Sequence, residues 1–255
     1  MSKLPSEHKF IDLSDYGRIP GRMIANAIKG TSLTPIHVTI SFIISGTIAI
    51  ICILNNQFWA ASLFLVLKSV LDAADGELAR IKNTPSYTGR YFDSVSDIIL
   101  NLFIFIALWL ITDSSVLSAI CAFLGVQLQG TLYNYYYSIL RNRYDGDTTS
   151  RVFEDKTPTA LKGEKQKHVN ILFGLYKILY GGFDRLIYLL DRNAPEGKHF
   201  PNWFMFAVST FGLGFQLLLI STLLVLGFKD DIIPFFIIYS VMIFVFIGIR
   251  KIVQN

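Results

Sequence analysis

Charge is scarce in this chain. Asp, Glu, Lys and Arg make up 16% of its 255 residues, where a soluble globular protein carries roughly a quarter. Cysteine is scarcer still. Cys52 and Cys121 both sit inside apolar runs, which excludes a disulfide framework and a Cys-rich metal site. Internal repeats and low-complexity tracts are lacking, and a hydrophobic share of 52% excludes disorder and collagen-like chains. What is present instead is apolar: 21 Phe, 14% aromatics and a mean hydropathy of +0.47. Lipid is therefore the expected solvent for much of the chain.

A bilayer core about 30 Å thick takes roughly 20 apolar residues in a helix. Six runs reach that length, at 34–54, 58–79, 91–111, 116–140, 204–228 and 232–249. The links at 55–57, 112–115 and 229–231 are very short, and spans that alternate in direction put all three on one side of the membrane. Of the 23 Lys and Arg, only Lys229 lies in those links and only Lys68 lies within a span. The positive-inside rule then places both termini and the large polar segments in the cytoplasm. The expected fold class is all-α, a polytopic protein of the cell (inner) membrane with six transmembrane helices.

A charged stretch with Pro and Gly precedes the first run, which argues against a cleavable signal. Within 16–29, Arg18, Arg22 and Lys29 interleave with Ile19, Met23, Ile24 and Ile28. That spacing predicts an N-terminal amphipathic helix in the cytoplasmic interface, with an ordinary solvated cap as the alternative. The polar stretch 141–168 reads as a loop. The run 169–190 carries Lys177, Asp184, Arg185 and Gly181-Gly182, and as a seventh span it would put Arg250-Lys251 outside, so it reads as an interfacial helix or hairpin under the bundle. The organisation expected is a cytoplasmic segment 1–33, spans one to four in 34–140, a cytoplasmic loop and helix in 141–203, and spans five and six with a cytoplasmic tail in 204–255.

Ionisable groups inside or at the edge of a span mark function by default. They concentrate between Lys68 and Asp97. Lys68, Asp72, Asp75 and Ala79 follow one another at steps of four, three and four, a single helical stripe, and Gly89, Asp93, Asp97 and Asn101 form a second stripe at steps of four. Two antiparallel helices joined at the cytoplasmic face point these stripes at each other and gather four carboxylates. Such a group needs compensating cations. Lys68, Arg80 and Arg90 offset part of the charge. With His8, His37, His168 and His199 all remote in sequence, the oxygen-only set suits Mg²⁺ or Mn²⁺, leaves Ca²⁺ open and disfavours zinc. A divalent pair attracts a diphosphate and neutralises a leaving phosphate. The small residues Gly76, Ala79 and Gly89 either let a ligand approach the backbone or serve close helix packing.

The run Asp72-x2-Asp75-Gly76-x2-Ala79-Arg80-x8-Gly89-x3-Asp93-x3-Asp97 resembles the signature of the CDP-alcohol phosphotransferase (CDP-alcohol phosphatidyltransferase) family at all eight fixed positions. A chance match is on the order of 10⁻¹⁰ per start position on background composition. The resemblance implies a membrane enzyme of phospholipid biosynthesis. It would take a CDP-linked lipid donor, most naturally CDP-diacylglycerol for a chain of this size, pass the phosphatidyl group to a small alcohol acceptor and release CMP. Mapped onto this chain, Asp72, Asp75, Asp93 and Asp97 would hold the metal, with Asp93 and Asp97 catalytic and Asp97 the general base. Asp72, Gly76, Ala79, Arg80 and Gly89 would take the nucleotide. The resemblance also implies a homodimer.

Some features stay open. The chain has Thr34-Pro35-Ile36-His37-Val38-Thr39 where the family often has Thr/Ser-Pro-Asn-x-x-Thr, so Pro35 and Thr39 either shape the nucleotide pocket or simply start a helix. Glu77 is reminiscent of members that use inositol phosphate. Arg90, Arg141 and Arg143 are candidates for binding a phosphorylated acceptor, or ordinary positive-inside flanking. Tyr133, Tyr135, Tyr136 and Tyr137 line an alcohol or quaternary-amine pocket, or form an interfacial belt. An alternative activity is a CDP-choline/ethanolamine-type phosphotransferase acting on a diacylglycerol. An ion-coupled transporter is the remote non-enzyme alternative, but it would spread its acids through the membrane depth. Nucleic acid is not an expected partner.

Overall fold

The structure is a computed structural model that describes residues 4–144, 154, 156–197 and 199–254. Among the described residues its regular structure is all helix, with no strand. The first four long helices are α2 (Pro35–Leu54), α3 (Phe58–Ile81), α4 (Tyr87–Leu110) and α5 (Val116–Arg143), preceded by a short α1 (Arg18–Ile28). Their ends are written locally. Pro35 opens α2, where its missing N–H costs nothing, and the Thr34 N–H donates to His37 Nδ1 at 3.2 Å. Ser86 and Ser115 cap α4 and α5 through their hydroxyls. Both α2 and α3 end on an asparagine in the left-handed region, Asn56 at φ 56° and Asn83 at φ 52°. In each, the next residue's N–H closes back on the helix, Gln57 onto Cys52 O and Thr84 onto Ala79 O, both near 3 Å. These caps make the tight reversals that the short links require.

Four stretches are long and apolar enough to cross a bilayer: α2, α4, α5 and Lys229–Val253. A fifth is bent by 56°. Its halves are α7 (Asn202–Val208) and α8 (Leu213–Val225), which follow α6 (Gln166–Leu190). Six expected spans are therefore not reached by length and composition. The missing one is α3, a continuous 24-residue helix whose C-terminal part carries Lys68, Asp72, Asp75, Glu77 and Arg80. The last stretch is divided as well, into α9 (Ile232–Tyr239) and α10 (Met242–Gln254), around Ser240.

Several boundaries differ from expectation. The helix expected from 91 begins at Tyr87, and α5 runs on through Arg143. The loop expected over 141–168 is irregular between 156 and 165, and its residues 145–153 and 155 lie outside those described. Residues 169–190 form no hairpin, because α6 passes unbroken through Gly181-Gly182. The α1 helix lies along α3. A side-chain carbon on Gly21 would come within 2.9 Å of Ala74 N and 3.0 Å of Val70 O, so only glycine permits this approach.

The apolar core has two parts. One gathers α2, α3, α4, α5, α8 and α9 around Phe105, Leu108 and Phe236. The other gathers the C-terminal half of α5 with α7 and α10 around Tyr136, Phe204 and Phe211. Helix α2 packs against both α3 and α4, α8 against α3, and α6 against α4 and α5, while α3 and α4 themselves make few close approaches. The two charged stripes thus face each other across a cleft, not through a packed seam.

Candidate active site

The cleft widens into a cavity of about 1830 Å³, walled by α3, α4, α5 and α6 and floored near Gln216 of α8. At its centre Asp72, Asp75 and Asp93 each offer a carboxylate oxygen, all within 4.8 Å of one another. Asp75 Oδ2 accepts from the Thr39 hydroxyl at 2.8 Å, so the Thr39 of the α2 start does belong to the site. Asp93 Oδ1 is buried with no hydrogen-bond partner. A buried carboxylate oxygen without a donor, facing two other carboxylates, is the environment a bound cation satisfies. The donors are all oxygen, and so fit a hard divalent ion. Four carboxylates were expected in one group; three gather. The fourth, Asp97, accepts from Lys68 Nζ at 2.5 Å through Oδ1 and also lines the cavity. Lys68 is fully buried and its ammonium lies 4.9 Å from the centre of the Phe42 ring. This buried cation is thereby matched to one acid.

The small residues of the motif lie along the same cavity. Gly76, Ala79 and Gly89 all line it. The Arg80 guanidinium extends past Gly76, where a side-chain carbon would sit 3.5 Å away, and Arg80 Nη2 donates to Glu77 Oε1 at 2.9 Å. Arg80 Nε is buried without an acceptor. Glu77 also accepts from Arg18 Nε at 3.0 Å, so it ties α1 to α3.

The three expected acceptor arginines separate. Arg90 and Arg141 line the cavity; Arg90 pairs with Glu154, and Arg141 lies 4.8 Å over the Tyr137 ring. Arg143 does not line it. Its guanidinium donates to Pro195 O at 3.1 Å and Gly197 O at 2.7 Å, fastening the end of α5 to the turn after α6. The tyrosines divide likewise: Tyr133, Tyr135 and Tyr137 reach the cavity, whereas Tyr136 is fully buried and donates to Asp191 Oδ2 at 2.6 Å.

Several cavity residues carry no sequence signal. Asp12 accepts from the Tyr133 hydroxyl at 2.5 Å through Oδ2, which brings the N-terminal segment to the rim. Tyr176 and Asp184 of α6 pair at 3.2 Å, and Tyr180 donates to Ser94 O at 3.0 Å. Glu164 accepts from the Ser86 hydroxyl, Thr88 N and Leu161 N at 2.8, 2.7 and 3.0 Å. Each is a lone residue in a polar or mixed run, and only its distance from the motif in space, not in sequence, is short.

With the carboxylates, the glycines and the cavity on one face of the bundle, the match to known families follows. A model of the CDP-alcohol phosphatidyltransferase family matches residues 32–173, more than half of the chain. The chain belongs to this family. It is therefore a transferase of substituted phosphate groups, placed by its apolar helices in a membrane. CDP-alcohol phosphatidyltransferases generally use divalent metals, and the Asp72, Asp75 and Asp93 group is suited to hold one. The match takes in α2 through α5 and the start of α6 and stops before most of the α6 wall. No curated protein matches the chain.

Proposed function

We propose that the protein transfers the phosphatidyl group of CDP-diacylglycerol to the hydroxyl of a small alcohol, releasing CMP. The observation that carries this reading is the three-carboxylate group with its orphaned Asp93 oxygen, set among Gly76, Ala79 and Gly89 in one cavity. Asp72, Asp75 and Asp93 would hold Mg²⁺ or Mn²⁺, which would neutralise charge on the diphosphate and on the leaving CMP. Gly76, Ala79 and Gly89 leave room for cytidine and ribose against the backbone, and the open Arg80 Nε is a donor for the nucleotide.

The acceptor oxygen forms a bond to the phosphorus that bears the diacylglycerol, while the bond from that phosphorus to the CMP oxygen breaks. Asp97 takes the acceptor's proton as general base. Lys68 fixes one of its oxygens, so the carboxylate is oriented before the acceptor arrives. No covalent protein intermediate is required; positioning and charge neutralisation carry the reaction. Arg90 and Arg141 stand on the acceptor side. In this reading α3 is the sixth span, with α1 at the cytoplasmic interface, the termini and cavity cytoplasmic in the cell membrane, and the chain a homodimer as its family resemblance implies.

The test is a product panel. The purified protein in detergent receives CDP-diacylglycerol, Mg²⁺ or Mn²⁺, and in turn glycerol 3-phosphate, serine, inositol, inositol phosphate or choline. One acceptor is expected to give a new phospholipid and an equal amount of CMP. Product formed only from CDP-choline or CDP-ethanolamine with diacylglycerol would overturn the donor assignment.

A further inference from the structure

The described part of the link between α5 and α6, residues 154 and 156–165, meets the start of α4. Its Glu164 is the point of attachment, and the bonds it makes are specific in direction. The Ser86 hydroxyl donates to Glu164 Oε1 at 2.8 Å, which commits its proton and turns its lone pairs toward Gly89, whose N–H it accepts at 2.8 Å. The same Oε1 accepts from Thr88 N at 2.7 Å. Oε2 accepts from Leu161 N at 3.0 Å and so holds the link in its turn. One carboxylate therefore ties together the N-cap of α4, a free N–H of its first turn, and the chain at Leu161. A negative group at a helix N-terminus is also favoured by the helix dipole. Lys162, Gly163 and Glu164 all line the cavity beside Ser86 and Gly89. The link touches α4 a second time, where Glu154 meets Arg90 and the Tyr91 hydroxyl.

We propose that Glu164 is a positioning residue for the nucleotide end of the site, acting through Ser86 to set the first turn of α4, and with it the placement of Gly89 and Asp93. This rests on the transferase reading above. It adds to that reading a residue outside the eight-residue signature, 78 positions from the serine it controls. Ser86 is close enough to Gly89 that a side-chain carbon there would lie 3.3 Å from its hydroxyl oxygen, so a change in the serine's rotamer changes the space above that glycine. Glu164 sets the nucleotide's seat without touching the reacting phosphorus, so its loss weakens donor binding more than it slows turnover. Burial pushes the Glu164 carboxyl up, but its hydrogen bonds with Thr88, Leu161 and Ser86 outweigh this and hold it below the usual glutamate range, so it is charged in the working enzyme.

The experiment compares full-length wild type with Glu164→Ala, Glu164→Gln, Ser86→Ala and the Glu164→Ala/Ser86→Ala pair. It reads the KM of CDP-diacylglycerol, the KM of the acceptor, kcat, and CMP binding by calorimetry with Mn²⁺. Glu164→Ala is expected to raise the donor KM and weaken CMP binding about tenfold, the effect of losing a charged hydrogen-bond acceptor. The acceptor KM should stay within about twofold. Glu164→Gln should fall between, and the double variant should be no worse than the worse single one, since both break one chain of contacts. An unchanged donor KM in Glu164→Ala, or fully additive losses in the pair, would overturn the proposal. If Glu164→Ala does not fold, the same comparison in Glu164→Gln and Ser86→Ala decides it. A wild type that neither binds CMP nor releases it would instead overturn the transferase reading, and this proposal with it.

Discussion

Lys68 and Asp97 show how few charges this bundle tolerates and how each is matched. The ammonium is fully buried and its carboxylate partner is 2.5 Å away. Removing one member of such a pair strands the other. Lys68→Met is therefore expected to destabilise the protein by about 3–5 kcal/mol and to abolish turnover. Lys68→Met with Asp97→Asn should recover most of the stability and none of the activity. Thermal unfolding in detergent alongside CMP release checks both; an undiminished melting point in Lys68→Met would contradict the pairing. Asp184 is the opposite case, an acid half-hidden in α6 with only a 3.2 Å bond from Tyr176. Burial pushes its carboxyl up to about 6, the Tyr176 bond opposes that, and the nearby Glu154 adds to it. The folded state then holds a proton that the unfolded chain releases, so stability falls as pH rises from the ordinary aspartate range through about 6. Asp184→Asn should remove this loss, and be more stable than wild type by on the order of 2 kcal/mol at about pH 8, with a smaller difference at about pH 5. Equal melting curves at the higher pH would contradict it.

At the scale of the helix, α1 depends on a surface of α3 that admits no side chain. Gly21→Leu is expected to lift α1, break the Arg18 to Glu77 bond, and cost about 1–3 kcal/mol through overpacking. Limited proteolysis in detergent should then cut within 18–28, a region protected in wild type; equal protection would contradict the packing. The stripes on α3 and α4 were legible in the sequence because residues at steps of three and four share a helix face, whatever lies opposite. That rule placed Asp72, Asp75 and Asp93 together. It did not tell that Lys68 would claim Asp97, a choice made by two helices meeting across a cleft. The breaks were hidden for a different reason: hydropathy registers solvent, not direction. At the bend between α7 and α8, Ser209 donates to Phe206 O and accepts from Leu13 N, so the break is held by a segment almost two hundred residues earlier. Glu164 and Asp12 were invisible for the same cause, since a lone acid in a polar run has no period.

For the whole molecule, the arrangement is a bundle whose charges are collected at one end of its cleft and whose outer faces, Ile44, Leu63, Phe103 and Leu117 among them, are apolar and exposed. The proposed six-span topology predicts that a cysteine placed at Asp113 reacts with an impermeant thiol reagent in intact cells, while one at Lys162 reacts only after the membrane is opened, both in a background lacking Cys52 and Cys121. The reverse pattern would contradict the orientation. The claim that joins topology, fold and motif is that Asp72, Asp75 and Asp93 act as one divalent-metal site serving a CDP-linked lipid. Its most direct measurement is CMP release from CDP-diacylglycerol and an acceptor by wild type and by Asp93→Asn, each titrated with Mn²⁺. The account predicts release that saturates with Mn²⁺ and ceases in chelator, and a variant that folds but loses at least about a hundredfold in rate. Release by wild type in full chelator, or by Asp93→Asn at the wild-type rate, would contradict it.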